Sequence, residues 1–151
     1  MNAIAVFKEN RRRIHRGVAG LDARQLYSIP QRFRNNVAWN VGHIVATQQL
    51  IHYENAGLPL CIDDAVVAAF RKGTSPAEWQ ERPDWEGVLA LLLETPERLE
   101  ADYAAGRFAR YREYTTSAGS VLRTIDDAIA FNNFHEGIHT GIVMSILKLL
   151  G

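Results

Sequence analysis

Cysteine is nearly absent: Cys61 is the one thiol in 151 residues. A lone cysteine excludes an internal disulfide and a four-cysteine zinc site. It suits a reducing compartment. Cys61 reads as a small, partly buried apolar residue rather than a nucleophile. Long hydrophobic runs are missing too. Stretches such as Val88 to Leu93 fall far short of the roughly 20 residues a membrane span needs. The first ten residues are charged too early for a secretory signal. The expectation is a soluble, cytoplasmic protein with no membrane partner. An excess of either charge is also lacking, since 17 Lys and Arg balance 17 Asp and Glu. That balance gives no support to a nucleic-acid partner. No internal repeat or low-complexity segment is visible, and strand signals are weak.

What is present is a chain that is 47% apolar and of the size of one domain, expected to span residues 1–151. At this length a domain buries roughly 70% of the surface its unfolded chain exposes, so no staple is needed. The charge is uneven. Residues 1–34 hold eight Lys and Arg against two acids. Arg11, Arg12 and Arg13 fan out around a helix by about 100° each. They are expected on a solvated face that pairs with acids on other helices.

Helical periodicity is strong in four places. The first segment runs from about Ala3 to Ala19, with Ile4, Phe7, Ile14 and Val18 at helical spacing. The second runs from about Val37 to Asn55, with Asn36 as its N-cap, and is apolar over so wide an arc that it belongs at the centre of a bundle. Asp63 to Arg71 reads as a short connecting helix. The third long segment starts near Asp84 and ends at Gly106. Pro96 predicts a kink within it, or two helices with Thr95 as a cap. Arg107 to Gly119 reads as an irregular or extended link. The fourth long helix starts at Thr124, capped with Asp127, and continues to about Leu150. Four amphipathic helices of this kind predict an all-α four-helix bundle.

The last helix carries an anomaly. Its core-facing stripe is expected to pass from Ile125, Ala128 and Ile129 through Asn132, His135 and His139 to Ile142, Val143, Ile146 and Leu150. Buried polar groups cost on the order of 2–7 kcal/mol each unless satisfied. Three together suggest a shared partner. His135 and His139 are four residues apart, about 40° in rotation and one turn along the axis. Two imidazoles so placed can grip one metal ion. His43, mid-helix on an apolar face of the second segment, is the best third ligand. His52 lies nine residues further on and points to roughly the opposite side.

Residues 135–139 read His-Glu-Gly-Ile-His, which matches H-E-x-x-H, two zinc ligands with a water-activating glutamate. A zinc peptidase is therefore one reading. Against it, Thr140 to Gly151 contains no Asp, Glu or His, and no strand pattern precedes the helix to hold a peptide substrate. Glu136 could be a catalytic general base beside the ion or a helix-surface acid. Asn132, one turn before His135, is a candidate to orient that ring. Trp39, one turn before His43, could wall a pocket or be an ordinary core residue.

The blocks Asn36-Val37-Ala38-Trp39-Asn40-Val41-Gly42-His43-Ile44 and His135-Glu136-Gly137-Ile138-His139-Thr140-Gly141 lie 92 residues apart, histidine to histidine. In sequence and layout the chain resembles the DinB/YfiT-like superfamily of metalloenzymes. The family pattern is Trp four residues before an early histidine, then a late H-x-x-x-H followed by x-Gly. One departure is that many members carry Arg-Gly-Gln after the last ligand, where this chain has Thr140-Gly141-Ile142. The resemblance implies a four-helix bundle with a long crossover connection, a three-histidine metal centre and a homodimer. It also implies chemistry of the thiol-dependent S-transferase, isomerase or hydrolase type on a small molecule, with a low-molecular-weight thiol as co-substrate.

Three neutral imidazoles leave an ion near +2 with open positions, as in a catalytic site. Zinc, nickel and iron all accept imidazole, so the expected cofactor is a divalent transition metal. The rival from another class is a non-catalytic metal-binding or dimerising stress-response protein. A cavity opening on the metal favours the enzyme, and a sealed metal favours the rival.

Overall fold

The computed structural model describes residues 2–151. Six α-helices form: α1 Ala3–Val18, α2 Ala23–Tyr27, α3 Val37–Gln49, α4 Asp64–Phe70, α5 Trp85–Ala104 and α6 Ile125–Leu150. The starts follow from local chemistry. Asn2, Asp22, Asn36, Asp84 and Thr124 each accept a backbone N–H of the first turn, which satisfies donors that have no partner within the helix. Thr124 and Asp127 form the expected capping box. Helix α5 ends at Ala104 and the chain turns away at Gly106, whose φ of 68° suits a residue without a Cβ.

The four long helices are α1, α3, α5 and α6. Each of α1 and α3 packs against both α5 and α6. Helices α1 and α3 therefore stand diagonally opposite in a four-helix bundle. The link from α3 to α5 is long and carries α4. Helix α3 is buried on nearly every side, as its wide apolar arc requires.

Four expectations need correction. Of the two alternatives at Pro96, the two-helix one falls, because the helix is continuous through it; the Thr95 hydroxyl donates to the Leu91 carbonyl at 2.8 Å rather than capping a second helix. The second segment does not stay α-helical, because Leu50–Glu54 is a π turn. The link after α5 contains a minimal antiparallel hairpin, β1 Tyr114–Thr115 with β2 Val121–Leu122, closed around Gly119 at φ 84°. Helix α2, with its Asp22–Gln25 capping box, was not expected.

The apolar core comes in two parts. One gathers Ile14, Val18, Val41, Ile44, Val45, Leu92, Val143 and Ile146. The other gathers Ile4, Phe7, Tyr53, Leu99, Ile125, Ala128 and Ile129. Between them in sequence, each long helix contributes buried polar residues: Arg11 on α1, Gln48, Gln49 and His52 along α3 and its π turn, Thr95 on α5, and Asn132 and Glu136 on α6. Arg11 is thus not on the solvated face with Arg12 and Arg13. It lies in the α1 stripe, seven residues from both Ile4 and Val18.

Candidate metal centre

His43 from α3 and His135 and His139 from α6 converge across the bundle. One ring nitrogen from each forms a set whose members all lie within 4.8 Å of one another. The ring centroids are 4.6 to 5.2 Å apart. His43 is buried and the two α6 histidines are half-buried.

Two of the rings are oriented by hydrogen bonds. His43 Nδ1 donates to the Phe70 carbonyl at 2.7 Å. His139 Nδ1 donates to Asn40 Oδ1 at 2.8 Å. Asn40 is itself fixed, since its Nδ2 donates to the Asn36 carbonyl at 2.7 Å. A ring nitrogen bonded to an oxygen acceptor carries the proton, so Nε2 of both rings holds the lone pair. Metal-binding histidines are oriented in this way. The sequence reading missed both supports. Asn40 could have been found, because it stands one turn before His43 on a buried face. The Phe70 carbonyl could not, because it arrives from α4 through tertiary packing. Gly42 makes that packing possible: a Cβ there would overlap the Phe70 ring.

Of its two readings Trp39 meets the core one, and it does not line the cavity beside the histidines. Its ring stacks on His43 at 4.5 Å and 12°, and it belongs to the apolar core. His52 stays apart from the cluster, as expected, with Nδ1 3.2 Å from Gln48 Nε2.

All three rings are held in the neutral form. Burial pushes His43 below the usual imidazole value, against the opposing Phe70 bond. Burial and the neighbouring His43 and Arg11 push His135 down to about 4. Burial and the other two rings push His139 down to about 3. A neutral imidazole is the form that binds a metal, and protons do not compete for it near pH 7. His135 Nδ1 is buried with no hydrogen-bond partner among the described residues. A converging set of three neutral imidazoles fits a cation.

The expected α6 stripe is corrected at its centre. Its most buried polar members are Asn132 and Glu136, and the two histidines flank the stripe. Glu136 is fully buried and is not a helix-surface acid. Arg11 Nε lies 2.9 Å from both its carboxylate oxygens, and Arg11 Nη2 lies 2.7 Å from Oε1. Asn10 and Asn132 also donate to it. Those contacts turn the carboxylate toward α1, and Glu136 does not line the cavity beside the histidines. The H-E-x-x-H reading lacks its free glutamate for that reason. Asn132 does not support His135: its Nδ2 goes to Glu136 Oε1 at 2.9 Å, and its Oδ1 is unpartnered. The signal for Glu136 was available, since it stands seven residues from both Ile129 and Val143.

A cavity of about 350 Å³ opens beside His43 and His135, within the usual range for a small-molecule site. The π turn shapes one wall through Leu50, Ile51, Glu54 and Asn55, and Phe131 adds an aromatic side. A larger groove of about 790 Å³ between α4 and α5 contains none of the three histidines. No helix among the described residues is long and apolar enough to cross a membrane.

No curated protein matches the chain. Among solved structures it is similar to YfiT from Bacillus subtilis, described as a probable metal-dependent hydrolase with an unusual four-helix bundle topology. The TM-score is 0.65 at 18% identity, over 99% of this chain and 86% of that one. At that identity the likeness establishes the bundle fold. Residues 7–143 match the DinB superfamily, nearly the whole chain, and the protein is therefore a member of the DinB superfamily.

Proposed function

We propose that this chain is a metal-dependent enzyme acting on a small molecule, with a divalent transition ion (zinc, nickel or iron) held by His43, His135 and His139. The reaction is of the thiol-dependent S-transferase or hydrolase type. The observation that carries this reading is the convergence of three neutral imidazole nitrogens within 4.8 Å. The cavity beside His43 and His135 favours an enzyme over a sealed metal-binding protein. The description of YfiT as a metal-dependent hydrolase agrees with it.

The residues divide the work. Phe70 and Asn40 hold two rings with the proton on Nδ1, which leaves the Nε2 lone pair for an ion. Trp39 covers one face of His43 and keeps water from it. When bound, a divalent ion supplies Lewis-acid polarisation and a nucleophile at neutral pH. Cys61 does not line the cavity, so the thiol of a transferase reaction comes from a second small molecule. Glu136 acts through position rather than as the base: it locks α6 to Arg11 one residue from His135. The apolar side chains of Phe134, Ile138 and Leu149, exposed within about 60° of arc on α6, support a homodimer.

The test loads purified protein with zinc, nickel or iron(II) in turn. It then follows conjugation of cysteine to 1-chloro-2,4-dinitrobenzene and hydrolysis of 4-nitrophenyl acetate. The expected result is turnover that requires metal and is lost in His43→Ala and His139→Ala. Metal uptake unchanged by both substitutions, or turnover equal in metal-free protein, contradicts the proposal.

A further inference from the structure

The cavity beside the histidines carries a charge pattern that the metal reading does not use. Arg71, Lys72 and Arg112 line it, against one carboxylate, Glu54. Seven of the seventeen Lys and Arg pair with acids among the described residues, including Lys8 with Glu97 and Glu100, Arg98 and Arg107 with Asp102, and Arg123 with Glu113. Among the described residues, none of the three cavity cations has an acidic partner.

Their place is set by contacts that also build the histidine site. Arg71 and Lys72 follow directly on Phe70, whose carbonyl accepts from His43 Nδ1. Arg112 is tied to the end of the π turn twice. Its backbone N–H donates to the Asn55 carbonyl at 2.7 Å, and its Nη2 donates to Asn55 Oδ1 at 3.0 Å. The neighbouring Tyr111 hydroxyl donates to the Ile51 carbonyl at 2.8 Å. The remaining guanidinium N–H groups of Arg112 have no partner among the described residues.

We infer that the molecule acted on at this centre carries an oxyanion group, carboxylate or phosphate, and that Arg112 with Arg71 and Lys72 recognises it. The inference rests on the proposed histidine centre as the place of reaction. A guanidinium presents parallel N–H donors that match an oxyanion in two-point contact, and a lysine adds a point charge. Like charges lining one cleft focus the field and draw in anions. A divalent ion at the histidines would add to the same sign. The same lining carries the apolar side chains of Leu50, Ile51 and Phe131 among the hydroxyls of Thr47, Thr116 and Ser117. The ligand that fits is therefore a small molecule with an anionic end and a short apolar body.

Titration calorimetry on the zinc-loaded protein tests this with phenylacetate and phenyl phosphate, and with phenylacetamide as the neutral control. At least one anion binds, the amide does not, and the better anion identifies the group. Arg112→Gln and the double variant Arg71→Gln/Lys72→Gln each weaken anion binding at least tenfold with zinc content unchanged. Equal binding of the amide, no binding of either anion, or affinities untouched by both variants overturns the inference. A protein that takes up no zinc but still binds the anion through Arg112 refutes the metal centre and leaves the anion site standing. Anion binding lost with His43→Ala and indifferent to Arg112 has the opposite meaning.

Discussion

Arg11 and Glu136 place opposite charges where α1 and α6 would otherwise present apolar side chains, and each explains the other. Both are fully buried and share a two-point contact. Such a pair contributes little net stability, yet removing one partner strands the other charge in a dry interior. Arg11→Met is predicted to cost about 3–5 kcal/mol in urea unfolding. Arg11→Met/Glu136→Leu is predicted to recover most of that loss, whereas additive losses would contradict the account. His52 makes a second prediction. Burial pushes it down to about 3, partly opposed by the Ala128 backbone and reinforced by Arg11. The unfolded chain takes up the same proton near pH 6.5. Between those values the unfolded state binds more protons, so the contribution is complete above pH 6.5 and is lost as pH falls toward 3. In metal-free protein, His52→Leu should flatten stability against pH by up to about 1.4 kcal/mol per unit over that range. Urea midpoints at pH 7, 6, 5 and 4 measure it, and parallel curves would contradict it. At this scale the three histidines were legible because their spacing on helices is fixed. Arg11 was read wrongly because three consecutive arginines look like surface, although its sevenfold spacing from Ile4 and Val18 marks a core position.

Helices α3 and α4 meet through a missing side chain. Gly42 leaves room for the Phe70 ring, and Phe70 in turn brings its carbonyl to His43. Gly42→Ala is predicted to destabilise by about 1–3 kcal/mol through overpacking. Displacing that carbonyl is predicted to weaken zinc affinity about 10–100-fold, as expected for loss of a bond that orients a ligand. Urea unfolding and competition against a chelating dye measure the two effects, and unchanged zinc affinity would refute the link. Helix starts were legible in the sequence because capping is local chemistry: Asn36 and Thr124 bond their own first turns. The π turn at Leu50–Glu54 was not, because a single i→i+5 turn at the end of an α-helix is too short to leave a periodicity of its own. The hairpin at Tyr114–Leu122 escaped notice because two-residue strands leave no alternation to detect.

Taken as a whole, the molecule spends its central layer on polar groups. Apolar clusters lie to either side in sequence along α1, α3 and α6, and the histidine centre joins α3 to α6 at the flank of that layer. The bundle class was legible because four amphipathic segments have few ways to bury their faces. The diagonal placement of α1 and α3, and the cavity formed by the π turn and the hairpin, depend on contacts between distant segments and were not. The most direct measurement is X-ray absorption at the zinc edge, on protein holding one equivalent of zinc. The account predicts three imidazole nitrogens at about 2.0–2.1 Å, with the set broken in His43→Ala. A zinc environment without imidazoles, or one identical in His43→Ala, would contradict it.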